Sequence, residues 1–83
     1  VGGGHAGYRI YQCRDGRVAL AALEPHFAKS LCTVARIEWT GSAMMMQATT
    51  LAQIAGFVAT LTRKQLDTLA QQHDIPLHTL PNE

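Results

Sequence analysis

The chain has 83 residues, 47% of them hydrophobic and 16% charged, with a formal net charge of +1. That length admits one small domain, and the apolar share excludes a disordered polar chain. Near-neutral charge, with Arg and Lys scattered rather than striped, gives no electrostatic footprint for nucleic acid or an anionic membrane.

No apolar run approaches the ~20 residues of a membrane span, and no segment has the form of a signal peptide. A chain of this size buries only roughly 60–65% of its unfolded surface, so its apolar richness hints at a surface that meets a partner. Cys13 and Cys32 do not form a Cys-x-x-Cys pair, and two cysteines are few for a small secreted domain, so a reducing cytoplasm is the expected compartment. The first residue is Val rather than Met, as an excised or processed piece would have.

In chain order, Gly2-Gly3-Gly4-His5-Ala6-Gly7 comes first. Its glycines permit a pliant backbone and close approach to a ligand; a frayed terminus or cloning remnant is the alternative. No phosphate-loop lysine follows it and no strand precedes it, so it is not a nucleotide fingerprint. Tyr8–Cys13 alternates, with Tyr8, Ile10 and Gln12 on one face and Arg9, Tyr11 and Cys13 on the other. Asp15-Gly16 predicts a tight turn, Gly taking φ > 0 without steric cost. Arg17–Leu23 is apolar on both faces, which predicts a central strand covered on both sides.

Glu24-Pro25 marks a corner, because Pro suits the first helical position. The helix that follows, Pro25 to about Ala35, carries Phe27, Leu31, Val34 and Ala35 on one side. From Arg36 to Thr49 the pattern is least readable. Trp39 is expected to anchor it, Gly41-Ser42 to turn, and Met44-Met45-Met46 to start a helix, fill core gaps or form a flexible contact surface. Thr50 with Gln53, and Thr62 with Gln65, have capping-box spacing. They predict two helices, with apolar stripes Leu51, Ile54, Ala55, Val58, Leu61 and then Leu66, Leu69, Ala70, His73. Pro76 ends the second near His73-Asp74, and Leu77–Leu80 is a short third strand closed by Pro81.

The fold class expected is therefore α+β: a small single domain spanning 1–83, with a β-hairpin plus a short third strand packed against about three helices, and a flexible Gly-rich segment at 1–7. His5, His26, His73 and His78 show no i, i+4 pair and no completing Cys or carboxylate cluster, so no metal site is expected. A Cys–His nucleophilic pair would need a spatial adjacency that spacing does not supply. The two capped helices do not read as helix-turn-helix, since their junction is short and the second is weakly basic. Glu24 is the residue that stands out. It is either an anionic helix start favoured by the dipole or a carboxylate held at a strand-to-helix corner where a substrate can approach.

The residues Gly2-Gly3-Gly4-His5-Ala6-Gly7-Tyr8, Tyr11, Asp15-Gly16, Ala19, Ala21-Ala22-Leu23-Glu24-Pro25 and Phe27 resemble the family III CoA-transferases (the CaiB/BaiF family). Within it, the resemblance points to the branch containing the alpha-methylacyl-CoA racemases. Leu61-Thr62-Arg63-Lys64-Gln65-Leu66 resembles that family's Thr-Arg-x-x-Trp helix, and Asp74-Ile75-Pro76-Leu77 its Asp-Ile-Pro strand. Leu66 stands where the family usually has Trp, Ala21 where it often has Gly, and His5-Ala6 where related chains have Gln-Pro or Ala-Pro. The stretch 36–49 carries no likeness.

What this resemblance implies is a fragment. Family members are interlocked dimers of longer chains with a Rossmann-like large domain and a smaller α+β domain, and only the smaller one is represented. The transferase aspartate that forms the acyl-enzyme anhydride, the racemases' His/Asp acid–base pair and most of the CoA nucleotide site lie in the large domain. By resemblance Gly2, Gly3 and Gly4 match a loop that shields the reactive thioester, with His5 beside it, and Glu24 matches a supporting carboxylate near the acyl end. No catalytic residue is expected in this chain. Acyl-CoA is the implied substrate of the parent, no cofactor is expected to be bound by this chain, and a homodimer is the implied partner. The alternative is a truncated, non-catalytic interaction or dimerisation module.

Overall fold

The computed structural model describes residues 4–82, so Gly2 and Gly3 lie outside the described residues. Strands β1 (Tyr8–Cys13) and β2 (Gly16–Ala21) form the hairpin, followed by α1 (Pro25–Val34), a short 3-10 helix (Ser42–Met46), α2 (Ala48–Ala59), α3 (Arg63–His73) and β3 (Leu77–Thr79). The sheet is antiparallel in the order β1-β2-β3, so β2 is central. Tyr8 pairs with Ala21, Ile10 with Ala19, Tyr11 with Val18 and Cys13 with Gly16; Ala19 in turn faces His78 across β3. The fold is α+β in one small unit, as the pattern predicts.

Alternation decides which side chains enter the core. Tyr11 and Cys13 of β1 and Val18 and Leu20 of β2 are buried, whereas Tyr8, Ile10 and Ala21 are exposed. All three helices therefore serve one face: Ile54 and Val58 of α2, Leu66 of α3, and Leu31 and Cys32 of α1 join Val18 and Leu20 in a single cluster. The expectation that β2 is covered on both sides is not met within the described residues. Three helices of ten to twelve residues suffice to cover one face of a three-stranded sheet, and no described element remains for the other.

Local chemistry explains most boundaries. The hairpin turn is Arg14-Asp15, with Cys13 opposite Gly16, and Gly16 does not take positive φ. Its lack of a side chain serves space: a Cβ there would lie 2.9 Å from Asn82 Oδ1 and 3.1 Å from Arg63 Cδ. Thr62 and Gln65 form the expected capping box at α3. Thr50 and Gln53 do not cap α2, which begins at Ala48 with Gln47 at its N-cap and no side-chain cap. Thr50 is instead buried inside the helix.

Helix α1 presents Ala28, Leu31 and Cys32 to the core, with Phe27 and Val34 only partly buried. The buried stripe is thus rotated from the expected one, because small Ala28 and Cys32 let α1 come close. In the unreadable stretch, Trp39 packs against the core. Gly41 takes φ 121°, and Met44 and Met45 are buried while Met46 is exposed.

Candidate functional site

The corner between β2 and α1 is built as Glu24-Pro25 implies. Glu24 is extended (φ −68°, ψ 143°), Pro25 opens the helix, and the Glu24 side chain makes no capping bond to the backbone. The Glu24 main-chain carbonyl accepts from the Ala28 N–H at 2.9 Å, so the backbone is anchored while the carboxylate stays in solvent. Its Oε1 lies 3.8 Å from His26 Nδ1, both side chains more than two-thirds exposed. The His26 ring tilts over Phe27 with centroids 4.0 Å apart. An exposed pair of this kind adds little stability.

The segment before β1 approaches this corner from the other strand. Gly7 C=O accepts from the Ala22 N–H at 2.7 Å, extending the hairpin ladder past Tyr8. A Cβ on Gly7 would stand 2.5 Å from the Ala22 carbonyl oxygen, so the position demands glycine for close approach. Gly4 takes φ 77° with open space around it. The glycine tract thus ends against Ala22, two residues before Glu24, a gap that extended chain spans in at most about 7 Å.

His5 is half-buried beside the tract, and its Nδ1 accepts the Gly7 N–H at 2.9 Å. That bond requires the Nδ1 lone pair, which puts the proton of a neutral ring on Nε2. Ala6 is fully buried and held through both its N–H and its C=O. The N–H donates to the Met45 carbonyl at 2.7 Å, and the C=O accepts the Tyr11 hydroxyl at 2.6 Å. Burial pushes the Tyr11 phenol up to about 12, with nearby Arg9 opposing, so the hydroxyl remains a donor. Tyr11 and Met45 thereby fix where the tract leaves the core. Neither of them is picked out for this role by sequence pattern. Alternation shows the inward face of Tyr11, but the carbonyl it meets is set by tertiary structure.

The Gly7–Ala22 contact thus brings the end of the glycine tract to the strand end two residues before Glu24, while Gly2 and Gly3 fall outside the described residues. A groove of about 650 Å³ lies elsewhere, between α3 and β3, lined by Lys64, Asp67, Gln71, Asp74 and Leu77 among others and by none of the candidate residues. Among the described residues no group of three or more His, Cys, Asp or Glu could hold a metal ion. No helix among them is long and apolar enough to cross a membrane. Both cysteines are free and buried, and burial raises the Cys32 thiol above its ordinary value.

At the far end of the hairpin a second polar cluster holds elements together. Asp15 Oδ1 accepts the Arg63 N–H at 2.8 Å, the Arg63 guanidinium donates to the Leu80 carbonyl at 3.1 Å, and Asn82 donates to the Asp15 carbonyl at 3.3 Å. These bonds tie the hairpin turn to the start of α3 and to the chain beyond β3. The Arg63 N–H, followed by its charge, holds the Asp15 carboxyl below its ordinary value against the opposing effect of burial.

Comparison with known proteins places this geometry in a family context. The model of CoA-transferase family III matches residues 2–82, nearly the whole chain. No curated protein matches.

Proposed function

The chain belongs to CoA-transferase family III, and from that premise we propose that it is the small α+β domain of an acyl-CoA-handling enzyme of the racemase-like branch. In a longer parent it forms the acyl side of a CoA-thioester site, and alone it turns nothing over. Its two free, buried cysteines fit work in the reducing cytoplasm.

The observation that carries this reading is the Gly7–Ala22 contact, which draws the end of the glycine tract to within two residues of Glu24. Glu24 supplies a carboxylate free of capping bonds at a helix start. It orients a donor group of the substrate, or of the parent's catalytic residue, without taking the proton itself. Gly2, Gly3 and Gly4 cover the thioester. His5 and Ala6 are held through Gly7, Met45 and Tyr11, which fixes where the tract leaves the core.

Titration of an acyl-CoA into the isotopically labelled chain tests the reading. Amide signals of Gly4–Tyr8 and Glu24 are expected to move together, with an affinity weakened by the missing nucleotide contacts. A coupled assay on the same sample is expected to show no turnover. Movement confined to the α3–β3 groove overturns the site assignment, and saturable turnover by the chain alone overturns its supporting role.

A further inference from the structure

The turn that leads into β1 is closed twice at His5. The His5 main-chain carbonyl accepts the Tyr8 N–H at 3.1 Å, and the ring Nδ1 accepts the Gly7 N–H at 2.9 Å. The side-chain bond repeats, with an imidazole, the reach to the second residue on by which Asp or Asn closes a turn. Gly7 is buried and His5 half-buried, so the ring can meet solvent protons while the N–H it serves depends on the ring for its acceptor. A Cβ on Gly7 would stand 3.0 Å from the ring Cε1 and 3.1 Å from Nδ1, which puts that edge of the ring directly against the backbone.

We propose that His5 is a pH-operated latch on this turn: the neutral ring holds the Gly7 N–H, and protonation of Nδ1 releases it. Only a lone pair can accept. A proton arriving from solvent takes the Nδ1 lone pair, and two N–H donors then face each other across a distance that suits one hydrogen bond. The ring must turn away, which leaves a buried donor without its acceptor. The Tyr8–His5 and Ala22–Gly7 main-chain bonds do not involve the ring. The strands therefore stay paired, and the response is local to the turn from which the glycine tract departs.

The surrounding elements bring few other charges. The 3-10 helix Ser42–Met46, which holds Ala6, and α2, which packs on β1, carry no charged side chain. Strand β1 brings Tyr8, Arg9 and Tyr11, and burial keeps the Tyr11 phenol protonated. Cys13 and Arg17 stand at the far end of the hairpin. The corner and α1 bring Glu24, His26, Lys29 and the buried Cys32. Of these, His26 is the other imidazole, and its partner is Glu24. The latch is independent of the acyl-CoA reading, because it is made within the chain and is read without a ligand.

Nitrogen-15 spectra of the labelled full chain, taken from about pH 8 to about pH 5, span the range in which histidine ordinarily changes charge. At the alkaline end the His5 ring is expected to carry its proton on Nε2. As the ring titrates, the Gly7 amide proton is expected to move upfield. Its exchange protection, relative to an unstructured chain, is expected to fall about tenfold with the same midpoint, as loss of one hydrogen bond allows. Protection of the Leu66 amide, which donates to Thr62, is expected to hold. His5→Asn, whose side-chain oxygen reaches the same N–H and does not titrate, is expected to keep Gly7 protected throughout. His5→Phe is expected to leave Gly7 at its acid level at every pH, and His26→Gln to leave the native response unchanged. A ring protonated on Nδ1 at the alkaline end overturns the proposal, as does a Gly7 amide that does not respond across the range. So does a response that survives His5→Asn, or one that His26→Gln abolishes.

Discussion

Gly7 stands where a hydrogen atom is the only side chain that fits, because the atom a Cβ would strike, 2.5 Å away, is the Ala22 carbonyl oxygen. Backbone cannot swing aside as a flexible side chain does. Gly7→Ala is therefore expected to cost about 1–3 kcal/mol, the range for overpacking, and to loosen the Ala22-to-Glu24 corner together with the tract. Chemical denaturation gives the stability. Loss of hydrogen-exchange protection at the Ala22 amide, which donates to Gly7, reports the local change. At Asp15 the effect is electrostatic. Its folded-state carboxyl is held below the ordinary value near 3.8, first by the Arg63 N–H. A depressed carboxyl stabilises the fold above its unfolded value, and that contribution is lost as pH falls through the lower folded value. Asp15→Asn, whose amide oxygen still accepts from Arg63, is expected to be less stable than the native chain at about pH 5–7 and equal to it at the acid end. Melts taken across that range check the sign.

Helix ends show which parts of the pattern were legible and why others were not. Thr62 and Gln65 cap α3 as their spacing says, since nothing upstream of Thr62 continues the helix. Thr50 and Gln53 have the same spacing, yet α2 already runs from Ala48. Burial of Thr50 in the core outweighed its use as a cap. Spacing records local chemistry, and burial is decided by neighbours distant in sequence. The same distinction holds at the candidate site: Glu24-Pro25 announces the corner, whereas the His5–Gly7 and Tyr11–Ala6 bonds follow from where the hairpin places them. The end of α1 supports a sharper test. Arg36 takes φ 61°, with its N–H donating to the Thr33 carbonyl at 3.1 Å and the Ile37 N–H to the Cys32 carbonyl at 2.8 Å. That is the Schellman closure, with Arg in the position that favours glycine. Arg36→Gly is expected to stabilise the fold by up to about 1 kcal/mol, as relief of left-handed strain outweighs the freer unfolded chain. Thr62→Ala is expected to cost about 1 kcal/mol through the lost cap. Opposite shifts of thermal midpoint, in chains differing only at helix ends, check both.

For the whole molecule the decisive fact is a core with one side. A chain of this length holds on the order of 5–10 kcal/mol of net stability, and here it comes from helices packed on a single pleat of the sheet. Two isoleucines separate the consequences. Ile54 is fully buried beneath the sheet, and Ile10 is 55% exposed on the opposite pleat. Ile54→Ala leaves a cavity within the core cluster and is expected to cost about 2–5 kcal/mol, enough to leave the chain marginal. Ile54→Val keeps it folded at a cost of about 0.5–1.5 kcal/mol. Ile10→Thr retains a β-branched side chain on a strand and is expected to change the stability of the dilute chain by no more than about 0.5 kcal/mol. Urea unfolding at low micromolar concentration measures all three. Equal losses at Ile10 and Ile54 would mean that the open pleat is covered within the monomer. A loss at Ile54 alone would mean that the pleat carrying Ile10 stays open to solvent in the monomer, as its 55% exposure indicates.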